Sequence, residues 1–136
     1  MQQSDIGIVG LGVMGENLAL NLERNGFAVG GFDLDAAKRD NFSRRTQGKR
    51  VHAARSLAEL VASLQAPRRL LLMVPAGAAV DAVLAELRQM LAAGDVVIDG
   101  GNTRFTDTER RMLELEGSGI LYVGAGVSGG GEGALR

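Results

Sequence analysis

The sequence predicts an α/β fold, a doubly wound parallel sheet with helices on both faces. Three observations carry this. Short apolar runs alternate with amphipathic stretches along the whole chain, the pattern of repeated β-α-β units. Some runs are continuously apolar, as in Leu70-Leu71-Leu72-Met73-Val74, which is what strands covered on both faces require. Glycine supplies 20 of the 136 residues, against a usual ~7%, and it concentrates in the turns that follow the runs.

Taken in order, Ile6-Gly7-Ile8-Val9 reads as a short buried strand and residues 16–23 as a helix. Asn25-Gly26 supplies a left-handed cap for that helix. Residues 28–32 form a second strand that ends in Asp33. A helix-like stretch over 36–46 leads to a weak third strand at 51–53. Ser56-Leu57-Ala58-Glu59 has the S-x-x-E pattern of a capping box, opening a helix to about residue 64. The run from Leu70 is a fourth strand, stopped by Pro75. Val80, Val83, Leu84, Leu87 and Leu91 fall at helical spacing. Val96-Val97-Ile98 is a fifth strand. Thr106-Asp107-Thr108-Glu109 reads as a second capping box, with its helix running to about residue 117. A last strand covers 120–123. Crossovers between parallel strands are right-handed, and ligands of such sheets bind beyond the carboxyl ends of the strands. The turns at Gly10, Asp33, Val74, Asp99 and Gly124 are therefore expected to face one crevice.

Composition narrows the function. The chain is long enough for one domain with a real core. Its 46% apolar content excludes a disordered class. A net charge of −1 argues against a nucleic-acid or membrane-surface partner. No stretch approaches the ~20 apolar residues of a membrane span, and the start lacks the pattern of a signal peptide. There are no cysteines, which removes disulfides and thiol nucleophiles and suits a cytoplasmic setting. No His, Asp or Glu cluster has metal-ligand spacing, so no metal is expected. His52, the only histidine, shows no obvious acid partner in the sequence. The basic pairs Arg44-Arg45, Lys49-Arg50, Arg68-Arg69 and Arg110-Arg111 are offset by acids and read as solvated faces.

Between the first strand and the first helix stands Gly10-Leu11-Gly12-Val13-Met14-Gly15. A strand, a G-x-G-x-x-G turn and a helix make a dinucleotide-binding fingerprint, and the fold is then Rossmann-like. Gly10 permits the tight turn, Gly12 lets backbone approach a pyrophosphate, and Gly15 lets helix and strand pack closely. The helix N-terminus offers N–H groups and partial positive charge to phosphates. Asp33 falls 21 residues after Gly12, near the spacing of a ribose-binding carboxylate. Such an acid repels a 2′-phosphate, and Leu34 follows where an arginine would neutralise one, so NAD is expected over NADP. Lys38 lies within reach of a phosphate from the next turn. Asp33 also reads as a helix-preceding cap, a job for which Asp35 competes.

Three further turns stay open on their residues alone. Val74-Pro75-Ala76-Gly77 either lines the crevice or merely terminates a strand. Asp99-Gly100-Gly101-Asn102 either places an amide that donates and accepts at once or is an ordinary turn. Val127-Ser128-Gly129-Gly130 is either an anion nest or a glycine hinge.

Together and in order, these motifs resemble the decarboxylating 6-phosphogluconate dehydrogenases, within the β-hydroxyacid dehydrogenase superfamily. The matching stretches are Gly10 through Leu18, Pro67-Arg68-Arg69, Ile98-Asp99-Gly100-Gly101-Asn102 and Gly126-Val127-Ser128-Gly129-Gly130. The first is shared across the superfamily; D-G-G-N with V-S-G-G is more specific. The resemblance implies oxidation of 6-phosphogluconate at C3 and decarboxylation to ribulose 5-phosphate and CO2. It implies that Gly10, Leu11, Gly12, Val13, Met14, Gly15, Asp33, Leu34, Val74, Pro75 and Ala76 bind cofactor. It also implies that Asn102, Ser128, Gly129 and Gly130 contact substrate, with Asn102 near the nicotinamide.

The chain departs from the family in three places. NADP-using members carry Asn-Arg-Thr where this chain has Asp33-Leu34-Asp35, which supports NAD. Many members have lysine where Pro75 stands. The family's general-base lysine, general-acid glutamate and helical substrate and dimerisation domain come from sequence beyond Arg136. Residues 1–136 are therefore expected to form the dinucleotide-binding domain alone, inactive by itself, with a homo-oligomer formed by the full-length protein. Two other readings remain: a β-hydroxyacid dehydrogenase of the 3-hydroxyisobutyrate type, and a non-catalytic dinucleotide-sensing module.

Overall fold

The computed structural model describes residues 3–75, 77–100 and 105–124. Among them six strands form one sheet: β1 (Ile6–Val9), β2 (Val29–Phe32), β3 (Val51–Ala53), β4 (Arg69–Leu72), β5 (Val96–Asp99) and β6 (Leu121–Gly124). Their order is β3-β2-β1-β4-β5-β6, and every pairing is parallel. The crossovers carry α1 (Val13–Arg24), α2 (Ala36–Arg45), α3 (Leu57–Ser63), α4 (Ala78–Leu87) and α5 (Phe105–Leu115). The strand order reverses between β1 and β4, the switch point at which such sheets open a ligand crevice.

Strand β4 shows why its sequence is continuously apolar. Leu70 and Leu72 enter one buried cluster with Leu60, Val80, Val97 and Tyr122. Leu71, pointing the other way, enters a second cluster with Ile8, Leu18, Val29 and Phe42. Alternate residues of a strand face opposite sides, so both faces of the sheet are covered and Leu70, Leu71 and Leu72 are all buried. Burying each leucine is worth about 1.5–3 kcal/mol, which holds the central strands rigid beneath the loops they carry.

The ends of the elements correct the sequence reading in places. Strand β4 closes at Leu72, although Met73 N–H still donates to the Val9 carbonyl oxygen at 2.7 Å. Helix α4 closes at Leu87, and the chain tightens into turns, with Gln89 N–H donating to Glu86 and Met90 N–H to Leu87. The expected cap Thr106 is the second residue of α5, so the helix begins before it. Ser56 does cap α3, its hydroxyl accepting from Glu59 N–H at 3.0 Å. The Glu59 carboxylate does not close the box. It lies 3.1 Å from His52 Nε2, so His52 has an acid partner after all, brought to it by the β3–α3 turn.

Candidate functional site

The carboxyl ends of the central strands open onto one cleft of about 570 Å³. The turn after β1 gives it Gly10, Gly12 and Met14, the turn after β2 gives Asp33 and Leu34, and the turn after β4 gives Val74 and Pro75. Gly100, beyond β5, closes the far side, and Lys38 stands at the Asp33 end. The remaining expected positions divide into two groups. Leu11 is buried in the core, Val13 is exposed and Gly15 is packed inside, so none of the three forms the cleft wall. Ala76, Asn102, Ser128, Gly129 and Gly130 lie outside the described residues.

The first turn is built for close approach. Gly10 adopts φ +104°, and a Cβ there would stand 2.5 Å from the Met73 carbonyl oxygen. A Cβ on Gly15 would stand 1.9 Å from the Gly10 carbonyl oxygen, so the helix meets the strand only because that side chain is missing. Gly12 has nothing within 4 Å of its missing Cβ. It borders open cleft, the cradle a bulky anion needs. No side chain caps α1 at Gly12, and the first-turn N–H groups of a helix have no acceptor within it. Glu16, buried in that same first turn, is paired with Arg45 of α2. The donors, the open glycine and the neutralised acid fit the pyrophosphate of a dinucleotide.

The Asp33 loop is more heavily tied than its sequence shows. One Asp33 carboxylate oxygen accepts from Leu11 N–H at 2.8 Å, across 22 residues, and the other accepts from Asp35 N–H at 2.9 Å. Asp33 therefore clamps the second turn to the first. The helix cap is Asp35, which accepts from Ala37 N–H at 2.9 Å. An ionised carboxylate has about four acceptor positions. Two stay open for ribose hydroxyls. Arg39 belongs to no motif of the sequence. It donates from Nη1 to the Asp33 and Leu34 carbonyl oxygens at 2.8 and 3.1 Å, and its guanidinium lies 5.8 Å from the Phe32 ring centroid. Only an i, i+6 reach around the start of α2 could have suggested it.

Three of the basic pairs are not merely solvated faces: Arg45 meets buried Glu16, and Arg111 and Arg68 meet acids of their own. Arg111 is fully buried. Its Nε donates to Asp81 at 2.9 Å, its Nη2 donates to the Gly77 carbonyl oxygen at 3.2 Å, and its Nη1 stands 3.7 Å from Asp99. Tyr122 donates to the same Asp99 oxygen at 2.7 Å. Burial, then the hydrogen bond to Asp99, pushes the Tyr122 hydroxyl well above its usual range. The hydrogen bond from Arg111 holds Asp81 below the usual carboxylate value, against the effect of burial. Arg68 likewise pairs with buried Asp95 at 3.2 Å. The helical periodicity of α5 places Arg111 one residue from the exposed Arg110, and adjacent like charges hid the difference. Among the described residues, no group of three His, Cys, Asp or Glu could hold a metal ion. No helix among them is long and apolar enough to cross a membrane.

Residues 5–136 match the family model described as the NAD binding domain of 6-phosphogluconate dehydrogenase. The chain belongs to this family. It is 55% identical over 134 residues to the decarboxylating 6-phosphogluconate dehydrogenase of Treponema pallidum (strain Nichols), covering 98% of this chain and 28% of that one. It is 48% identical over 136 residues to the NADP(+)-dependent, decarboxylating enzyme of Bacillus subtilis (strain 168), covering 100% and 29%. Among solved structures it is similar to Plasmodium falciparum 6-phosphogluconate dehydrogenase, studied as the apo form, with NADP+ and with 6-phosphogluconate. That similarity has a TM-score of 0.89 at 34% identity, over 97% of this chain and 29% of that one. The chain spans less than a third of the length of these relatives. The Rossmann-like fold and the dinucleotide-binding class expected from the fingerprint are those of the family.

Proposed function

We propose that this chain is the cofactor-binding portion of an NAD-preferring, decarboxylating 6-phosphogluconate dehydrogenase. The observation that carries the proposal is the Asp33 carboxylate, clamped to Leu11 N–H at 2.8 Å at the mouth of the cleft behind the glycine turn. In this reading the turn from Gly10 to Gly15 holds the pyrophosphate with backbone N–H groups. Asp33 accepts the adenosine ribose hydroxyls on its open lone pairs. Leu34, 84% exposed, offers no cation to a 2′-phosphate. Val74, Pro75 and Ala76 flank the nicotinamide half. Bound cofactor supplies a ring that accepts hydride from C3 of the sugar acid. Asn102 orients the sugar hydroxyl beside the ring carboxamide, and Ser128, Gly129 and Gly130 hold the anionic substrate.

The relatives speak for the enzyme class, and the Bacillus relative and the Plasmodium structure, whose names give a cofactor, name NADP+. Asp33 and Leu34 argue for NAD here, because a carboxylate repels the 2′-phosphate and an aliphatic side chain cannot attract it.

The chain alone binds cofactor without turning over. Titration with NADH and NADPH, followed by nicotinamide fluorescence, is expected to show tighter NADH binding. NADH production is expected to be nil when NAD and 6-phosphogluconate are added. Tighter NADPH binding would overturn the cofactor preference, and sustained NADH production would overturn the claim of inactivity.

A further inference from the structure

We propose that Arg111 is a positioning residue for the nicotinamide side of the cleft, a buried cation that ties the start of α4 to the end of β5. The inference rests on the cofactor reading above. With the pyrophosphate at Gly12 and ribose at Asp33, the second half of a dinucleotide falls over Val74 and Gly100, which line the cleft beyond the paired strands β4 and β5. Arg111, on α5, meets both the start of α4 and the end of β5. Its Nη2 donates to the carbonyl oxygen of Gly77, the N-cap residue of α4, at 3.2 Å. Its Nε donates to Asp81 in the first turn of the same helix at 2.9 Å. Its Nη1 faces Asp99, the last residue of β5, at 3.7 Å, and Tyr122 on β6 donates to that carboxylate at 2.7 Å.

The arrangement is a poor way to gain stability. A buried ion pair is often matched or bettered by apolar residues of similar volume, because desolvation offsets the attraction. Here the guanidinium is fully buried and its Nη1 makes no hydrogen bond. What the network does is tie the first turn of α4 to the carboxylate at the end of β5. The Gly77 carbonyl oxygen also accepts from Val80 and Asp81 N–H at 3.1 and 3.2 Å, so Arg111 grips the start of α4 as one unit. Loosening the network leaves the pyrophosphate and ribose contacts intact and makes the nicotinamide side reorder on binding.

The test compares two ligands on the 136-residue chain. NADH reaches both halves of the cleft; ADP-ribose lacks the nicotinamide. Arg111→Met and Tyr122→Phe are titrated with each, beside thermal unfolding. The expected result is an NADH affinity lower by about tenfold, the scale of ordering a few groups on binding, with ADP-ribose affinity changed less than about twofold. Equal weakening of both ligands would overturn the proposal, since a structural role alone spreads its damage. Unchanged NADH affinity in both variants would overturn it too. If Arg111→Met does not fold, Tyr122→Phe, which keeps the ring and removes one donor, decides by the same ratio. Failure of the unaltered chain to bind either ligand would sink the cofactor reading, and the positioning role with it.

Discussion

Replacing Asp33 with Asn and Leu34 with Arg should move cofactor preference toward NADPH, at a stability cost that the structure assigns to one of the two changes. Leu34 is 84% exposed, so Leu34→Arg disturbs no packing. Asp33→Asn is different. The carboxylate accepts from Leu11 N–H at 2.8 Å and from Asp35 N–H at 2.9 Å. An amide has one acceptor oxygen, and it will face the buried Leu11 side. Its NH2 group then opposes the exposed Asp35 N–H, which water can satisfy. One lost hydrogen bond of this kind costs about 1 kcal/mol, or roughly 3–4 °C in Tm for a domain of this size. The gain in selectivity has two sources. Unit charges at contact near a protein surface repel by up to ~4 kcal/mol, which salt and partial exposure reduce to ~1–2 kcal/mol. A guanidinium–phosphate contact adds about 1.5–3 kcal/mol, less ~1 kcal/mol for ordering the arginine. A net 2–3 kcal/mol changes the NADPH-to-NADH affinity ratio by roughly 30- to 150-fold. Parallel fluorescence titrations give the ratio, and thermal unfolding of each single variant gives the stability. A ratio that moves less than about threefold would show that Asp33 is only a clamp. A Tm loss carried by Leu34→Arg instead of Asp33→Asn would refute the hydrogen-bond argument.

Two other outcomes follow from the geometry. Gly15→Ala puts a methyl 1.9 Å from the Gly10 carbonyl oxygen, where backbone on both sides must shift. It should cost about 3 kcal/mol and abolish dinucleotide binding, and an unchanged Tm would contradict the packing. Asp95 is 2% exposed and accepts from Arg68 N–H at 2.7 Å and Ala92 N–H at 2.8 Å. Burial alone would raise its pKa, but these bonds and the Arg68 guanidinium hold it below the ordinary 3.8. A depressed carboxyl stabilises the fold above its unfolded pKa and loses that contribution as pH falls through the folded value. Asp95→Asn should therefore destabilise by about 2 kcal/mol at pH 7, and the gap to the unaltered chain should close in urea melts below about pH 4. A gap independent of pH would show that the charge is irrelevant.

The fold was legible because its signals are local. An apolar run such as Leu70-Leu71-Leu72 can lie only inside a covered sheet, and Gly10, Gly12 and Gly15 are spaced by the geometry of one turn. Helix ends were less legible where two devices compete. Glu59 completes the capping pattern on paper, yet its carboxylate meets His52 on a strand brought beside it by the fold. The candidate site divides the same way. The glycines and Asp33 announce themselves by spacing. Arg39 and Arg111 act through tertiary contacts, with partners six residues away in one case and about thirty in the other. In sequence they are two more arginines on polar helix faces.

The two roles of Asp33 explain why its spacing is informative. The carboxylate reaches Leu11 N–H only when β2 pairs with β1 in register, Val9 beside Phe32. The turn after each strand then begins at the same height. The count of residues between Gly12 and Asp33 is thus set by the length of α1 and the return of the chain to that register. A cofactor does not dictate it. The acid would sit there in any sheet of this register that needed its first two turns joined. Joining them takes one lone pair of one oxygen, and Asp35 N–H takes one on the other. A clamp to Leu11 alone would be served by an asparagine oxygen, at the loss of the Asp35 contact. Only a ligand with neighbouring hydroxyls uses the remaining acceptors on both oxygens, and only a 2′-phosphate is penalised by the charge. In the proposed reading the charge of Asp33 is what a ribose reader needs beyond a clamp. The change in affinity ratio measures that difference directly, and no stability measurement can.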